Sequence, residues 1–171
     1  MAKAKAVIEE KRDLFHNIEQ LLIGIGLKVQ SKDESRPWGG FFVIDPEYKR
    51  LFIDHFFKTA PISQMNSEMQ LSPKILIVQP NQRLSWQYHH RRSEIWTVTE
   101  GEVGVITSDT DVQGDLKVLT KGDLIQLGQG ERHRLVGLDD WAVVAEIWQH
   151  TDPDEPSDEE DIVRLQDDYG R

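Results

Sequence analysis

The sequence predicts a mainly β fold, a sandwich or barrel of short strands, with a helical extension before it and a capping segment after it. Three observations carry that expectation. From Phe41 onward, short runs rich in β-branched, leucine and aromatic residues recur at intervals of about ten, with turn residues between them. Ahead of them, Ala6, Ile8, Leu14, Ile18, Leu21 and Leu22 stand at a rough helical spacing among charged residues. The length of 171 residues suits one domain with a sizeable core.

The elements follow in order. Residues 5–23 are good helix formers, and Gly24 and Gly26 end the helix. Residues 31–35 are polar and read as a linker into Arg36-Pro37, so 1–35 is an N-terminal extension. Strand-like runs then occupy 41–44, 51–57, 74–78, 84–88, 95–99, 104–106, 117–119, 124–127, 134–136 and 141–148. Asp45-Pro46 and Gln113-Gly114-Asp115 read as turns. The barrel therefore spans 36–151. Residues 152–160 form an acidic connector and 161–169 a short helix or capping segment, which makes 152–171 the C-terminal cap.

Composition excludes several classes of function. A net charge of -10 argues against a nucleic-acid partner, which needs a basic surface. No apolar run approaches the ~20 residues that cross a bilayer, and the N-terminus lacks the apolar stretch of a secretory signal. The absence of cysteine rules out disulfides and thiolate ligands and fits a reducing compartment, so a cytoplasmic location is expected. Arg83, Arg91, Arg92, Arg132 and Arg134 nevertheless gather around two motifs, which suits a small anionic substrate.

Those motifs are N-Q-R-L-S-W-Q-Y-H-H-R-R-S-E-I-W-T-V-T-E-G and G-D-L-I-Q-L-G-Q-G-E-R-H-R-L-V-G. Gln87 and His89 alternate onto one face of a strand, Glu94 follows beyond a turn, and His133 comes from a separate hairpin. Imidazole nitrogens and a carboxylate suit zinc, iron(II), manganese or nickel, and an open position would make the site catalytic. By the same alternation His90 points away from His89 and is not a ligand. Arg36, Arg92 and Arg134 offer forked donors for phosphate or hydroxyl groups, or are solvated surface residues. Lys74 sits at the rim or reaches a sugar phosphate. Trp38 either stacks on a sugar ring or fills the core.

The two motifs resemble those of the cupin superfamily. Asn81, Gln87, His89, Glu94 and Gly101 stand in register with the first, and Gly122, Gly130 and His133 with the second. Arg36-Pro37-Trp38-Gly39, L-S-W-Q-Y-H-H-R-R-S-E-I-W and the closing E-D-I-V-R-L-Q-D-D-Y-G-R resemble the C-terminal domain of type II mannose-6-phosphate isomerases, over residues 36–171. That domain is usually fused behind a sugar-nucleotide pyrophosphorylase; here the isomerase-like half is expected to stand alone. Gln at the first ligand position also resembles type I phosphomannose isomerases, in which Gln, His, Glu and His hold zinc.

The resemblance implies a cupin-type double-stranded β-helix, a bound divalent metal (zinc by the type I pattern), a homodimer, and isomerisation of mannose 6-phosphate to fructose 6-phosphate. On that reading Gln87, His89, Glu94 and His133 hold the metal, while Arg36, Trp38 and Arg92 contact the sugar phosphate. Arg134 supports the charged oxygen, and Lys74, Glu146 or a hydroxide on the metal serves as the base. The alternative is a sugar- or sugar-phosphate-binding module without turnover, favoured by an unusual 50–72 stretch and by Glu146-Ile147-Trp148-Gln149 where the family has Glu-Val-Gln. Oxygen-dependent oxidation on iron(II) is disfavoured by Gln87 in place of a histidine.

Overall fold

A computed structural model describes residues 2–58 and 70–170, with side chains from Val7 onward. The chain opens with α1 (Ala2–Ile25). This helix runs through Gly24 and stops at Gly26, whose φ of +91° a side chain would resist. Leu27 N–H donates to Leu22 O and Gly26 N–H to Ile23 O, so the last carbonyls are satisfied by a Schellman turn.

Eleven strands follow: β1 (Val29–Asp33), β2 (Gly39–Ile44), β3 (Leu71–Val78), β4 (Trp86–His89), β5 (Arg92–Glu100), β6 (Glu102–Ser108), β7 (Leu116–Thr120), β8 (Leu124–Leu127), β9 (Arg132–Gly137), β10 (Ala142–His150) and β11 (Ile162–Gln166), with α2 (Lys49–Phe56) between β2 and β3. They form a six-stranded sheet in the order β1-β2-β3-β10-β5-β8 and a five-stranded sheet in the order β11-β4-β9-β6-β7. Among the described residues every pairing is antiparallel. The fold is the mainly β, two-sheet barrel with a helical N-terminal extension that the sequence predicts. Among the described residues, no helix is long and apolar enough to cross a membrane.

The larger sheet is buried on both faces, which explains why its strands read as continuous apolar runs instead of alternating. Along β10, Ala142 and Val144 point between the sheets with Val98, Val105 and Leu135. Val143, Ala145 and Ile147 point the other way, under Phe15, Ile18 and Leu22 of α1 and Phe52 and Ile53 of α2. Each such side chain contributes about 1.5–3 kcal/mol on burial, so the three from α1 suffice to dock that helix.

Three sequence expectations are corrected. Residues 31–35 are not simply a linker, because β1 pairs with β2 from Val29↔Ile44 to Asp33↔Phe41. As an edge strand it exposes Gln30, Ser31 and Lys32, so it carries no alternation to read. The run 51–57 is the end of α2, not a strand. Asp45 accepts from Glu47 N–H at 3.1 Å and opens a 3₁₀ turn over Pro46–Tyr48 that leads directly into α2, and Phe52, Ile53, Phe56 and Phe57 recur at helical spacing on one side. Of the unusual 50–72 stretch, 59–69 lie outside the described residues. Finally, 162–166 form β11 and not a short helix, since the free edge of β4 offers Ile162 and Val163 backbone partners.

Two backbone constraints place the inward-facing residues. Gly39 has φ +131°, and a Cβ there would stand 1.8 Å from Ile77 O, so only glycine lets β2 approach β3 and turn Trp38 inward. Asn81, which opens the first motif, takes φ 59°, a left-handed conformation that asparagine tolerates.

The C-terminal segment is tied to the barrel through Asp161. Its carboxylate accepts from Ser157 Oγ at 2.6 Å, His90 N–H at 3.1 Å and Arg91 N–H at 3.0 Å. Burial alone would raise its pKa, but these hydrogen bonds and the Arg91 charge hold it below the usual value. With the folded pKa lowered, the stabilisation is complete above the unfolded value of about 3.9 and is lost as pH falls through the folded one. Asp161→Asn is expected to destabilise by about 1–3 kcal/mol at pH 7, with a smaller gap from wild type in the acid range. Urea unfolding at pH 7 and near pH 3 checks this; an equal gap at both would remove the charge from the account.

Candidate metal centre

Strand alternation turns Gln87 and His89 of β4, Arg92, Glu94 and Trp96 of β5, and His133 of β9 into the barrel. Gln87 and His133 are register partners across β4 and β9. His89, Glu94 and His133 are buried, and one donor atom from each lies within 4.8 Å of the others. His89 Nε2 stands 3.3 Å from His133 Nε2 and 3.1 Å from Glu94 Oε1, and His133 Nε2 stands 3.6 Å from Glu94 Oε2. Donors at the usual zinc–nitrogen distance in a tetrahedron are about 3.3 Å apart, so these three residues could bind a metal.

The protonation states suit that role. His133 Nδ1 lies 3.0 Å from Glu131 O, which places its proton on Nδ1 and leaves Nε2 with a lone pair aimed at the other donors. Burial, opposed by the Glu94 charge, lowers the His133 pKa to about 4, so the imidazole is neutral. Burial would raise the Glu94 pKa, yet Arg92 and the two histidines hold it well below the carboxylate range. Arg92 does so directly, donating from Nε to Glu94 Oε1 at 2.7 Å. Gln87 has an amide nitrogen 3.5 Å from His89 Nε2 and accepts from Ser85 Oγ at 2.5 Å. Turning the amide over would present its oxygen to the same point and leave its nitrogen facing Ser85 Oγ.

A second carboxylate lies beside the first. Trp96 Nε1 is 3.0 Å from both Glu94 Oε2 and Glu146 Oε1, one N–H shared between two acids. Burial, then the Glu94 charge, push the Glu146 pKa up to about 8 against Lys74 and Arg92. Lys74 is the cross-strand partner of Glu146 and bonds Glu159 at 2.9 Å. Lys74 Nζ and Arg92 Cζ each lie 3.4 Å from the Trp148 ring centroid. Trp148, where the family pattern differs, thus steadies both cations. These groups surround a cleft with about 60 Å³ of water-accessible space.

The expected site residues divide clearly. Arg36, Trp38, Lys74, Gln87, Arg92, Glu94 and Glu146 line the cleft, with His89 and His133 at its floor beside Glu94. Arg36 is paired with Asp33 at 2.8 Å, and the buried Trp38 N–H has no partner among the described residues. His90 is exposed and edge-on to Tyr88, as alternation requires. Arg134 does not belong to the site. The β6–β9 register is regular, with no bulge to turn it inward, so Arg134 faces away from His133 and donates to Gln166 O at 3.2 Å.

Sequence reasoning left Trp96 and Trp148 without roles at the acids and cations, although each stands two residues after an inward glutamate. His150, set aside as outside the motifs, shares that inner face and lies 2.7 Å from Ser72 Oγ. Ser157 and Asp158, which bind Arg92 at 2.9 and 3.1 Å, carry no comparable signal. His133→Ala is expected to lower metal affinity by more than the about 10–100-fold that a supporting residue is worth. Arg134→Met should leave metal content unchanged. Elemental analysis of both purified variants checks this, and metal loss in Arg134→Met would return that residue to the site.

Residues 56–167 match the family described as mannose-6-phosphate isomerase C-terminal. Over 103 residues the chain is 32% identical to mannose-1-phosphate guanylyltransferase of Escherichia coli (strain K12), a match covering 57% of this chain and 19% of that protein. It is 31% identical over 103 residues, with the same coverage, to mannose-1-phosphate guanylyltransferase ManC of Salmonella typhimurium (strain LT2). The chain thus spans about a fifth of the length of these curated relatives. A crystal structure of a sugar phosphate isomerase from a cupin superfamily, from Silicibacter pomeroyi, overlaps 53% of this chain and 57% of its own at TM-score 0.42 and 17% identity. An overlap that loose adds nothing to the strand topology. By the family match, which extends from the end of α2 through β11, the chain belongs to the mannose-6-phosphate isomerase C-terminal family.

Proposed function

We propose that this chain is a metal-dependent aldose–ketose isomerase that interconverts mannose 6-phosphate and fructose 6-phosphate. The observation that carries this reading is a three-donor metal centre beside a second buried carboxylate, Glu146, joined to it through one indole N–H. Isomerisation needs both: stabilisation of charge on two adjacent oxygens, and a group that moves a proton between adjacent carbons. The curated relatives are named for action on a mannose phosphate, which supports the choice of sugar.

In the aldose-to-ketose direction, a proton leaves C2 and its electron pair forms the C1–C2 double bond, while the C1 oxygen takes up a proton. The O2 hydroxyl then gives up its proton, C2–O2 becomes the carbonyl, and C1 receives a proton. Glu146 is the group we assign to take the carbon proton and return it. Its burial makes the carboxylate form a stronger base than an exposed glutamate would be. A metal, which we take to be zinc from the nitrogen and oxygen donors, would be held by His89, Glu94 and His133 with Gln87 and would polarise the two sugar oxygens. Arg92 keeps Glu94 charged, the unpartnered Trp38 N–H can donate to a sugar hydroxyl, and Lys74 at the mouth suits the phosphate.

One observation favours the binding module as a second reading: about 60 Å³ is far below the roughly 300–1,000 Å³ of usual ligand pockets. A coupled assay decides. Glu146→Gln is expected to cut turnover by about 10²–10⁴ while metal content and sugar-phosphate affinity stay within error. A metal-loaded wild-type protein that binds mannose 6-phosphate but turns over no hexose phosphate would establish the binding module instead.

A further inference from the structure

At the mouth of the cleft the ion pairs are unequal. Arg92 is committed to Glu94, Ser157 Oγ and Asp158 O, and Arg36 is committed to Asp33. Lys74 bonds Glu159, and the two ends of that pair differ sharply: the Lys74 side chain is 8% exposed, the Glu159 side chain 58%. Glu159 can therefore reach water by a change of its side chain alone, and the cost of its leaving falls on Lys74. Lys74 cannot follow it. Its stem lies in the sheet and its ammonium sits 3.4 Å from the Trp148 ring centroid, so losing Glu159 leaves a buried cation in want of an anion.

The backbone around Glu159 is fixed on both sides. Asp158 caps the 3₁₀ turn by accepting from Glu160 and Asp161 N–H at 3.0 and 3.1 Å. Ser157 is held by Arg92 and Asp161 by the barrel. The mobile part is thus one side chain. Burial would raise the Glu159 pKa, but the Lys74 ion pair and, behind it, the charges of Arg92 and Arg36 hold it below the usual value.

We infer that the Glu159 carboxylate is a resident stand-in for the ligand's anionic group, a side-chain latch that occupies Lys74 until the phosphate of a bound sugar displaces it. This deepens the sugar-phosphate reading of the cleft and rests on it. The exchange is one anion for another: the carboxylate leaves for water, and a phosphate with more charge and three acceptor oxygens takes its place on Lys74. The latch makes selection for phosphorylated over free sugars a property of Lys74, since only an anion can replace what leaves.

Calorimetry on the full chain as purified, with mannose 6-phosphate, inorganic phosphate and free mannose as probes, tests this. Glu159→Gln removes the competing charge at an exposed position and should tighten both phosphate probes by about two- to fivefold at low salt. Free mannose should bind as in wild type. Lys74→Met, checked for folding by circular dichroism, should abolish the preference for phosphorylated over free mannose. Unchanged phosphate affinity in Glu159→Gln, or an equal gain for free mannose, overturns the latch. Turnover measured in parallel separates the two readings: the affinity shift without turnover sinks the isomerase alone, and turnover without the shift sinks the latch alone.

Discussion

One buried carboxylate, Glu94, organises the open end of the barrel. An ionised acid taken out of water needs cations and donors around it, and Arg92 and Trp96 supply them. Arg92, two residues earlier on the same strand face, reaches it at 2.7 Å; Trp96, two residues later, donates at 3.0 Å; His89 and His133 approach from the opposite sheet. Without Glu94, Arg92 would be a buried cation deprived of its carboxylate partner. The apolar core between the sheets begins directly beneath, at Val98 and Leu135. The barrel thus has a polar end and an apolar end, divided within single strands.

The neighbouring acid, Glu146, takes the opposite state for the same reason. Two carboxylates that share one indole N–H in a low-dielectric interior do not both ionise readily, and Arg92 favours Glu94. That leaves one acid charged and one with high proton affinity, the two states that the proposed metal ligand and proton carrier would need. Such a division of labour depends on satisfied partners throughout, because a buried polar network with a missing member costs more than an apolar core. Trp148 contributes on the cationic side, with Lys74 and Arg92 both against its ring. The altered Glu146–Gln149 block therefore marks a different way of holding the mouth's cations and leaves the acid itself in place.

Two additions complete the barrel, on different faces. α1 and α2 cover the outer face of the larger sheet and convert its strands into doubly buried ones. The C-terminal segment instead closes the mouth: β11 pairs along the edge of β4, while Ser157, Asp158 and Asp161 bind Arg92 and the backbone beside His89. The same segment that stabilises the metal strand also narrows the cleft, so access and stability are coupled through residues far from the ligand motifs in sequence.

The sequence by itself determined what local geometry controls. Alternation placed Gln87 with His89 and turned His90 outward, because successive side chains of a strand must point to opposite sides. The same rule excluded Arg134 once β9 proved regular beside His133. What only the tertiary structure decided lies between distant segments. β1 and β11 are edge strands whose pairing comes from a neighbour's free backbone and not from their own polar pattern. α2 owes its helical state to the Asp45 turn and to the apolar cover it gives the sheet. The contact of Lys74 with Glu159 and the hold of Ser157 on Arg92 join residues 85 and 65 positions apart. No local preference encodes such a contact; it exists because the sheet order brings β3 and β5 to either side of β10 and the chain's end returns across them.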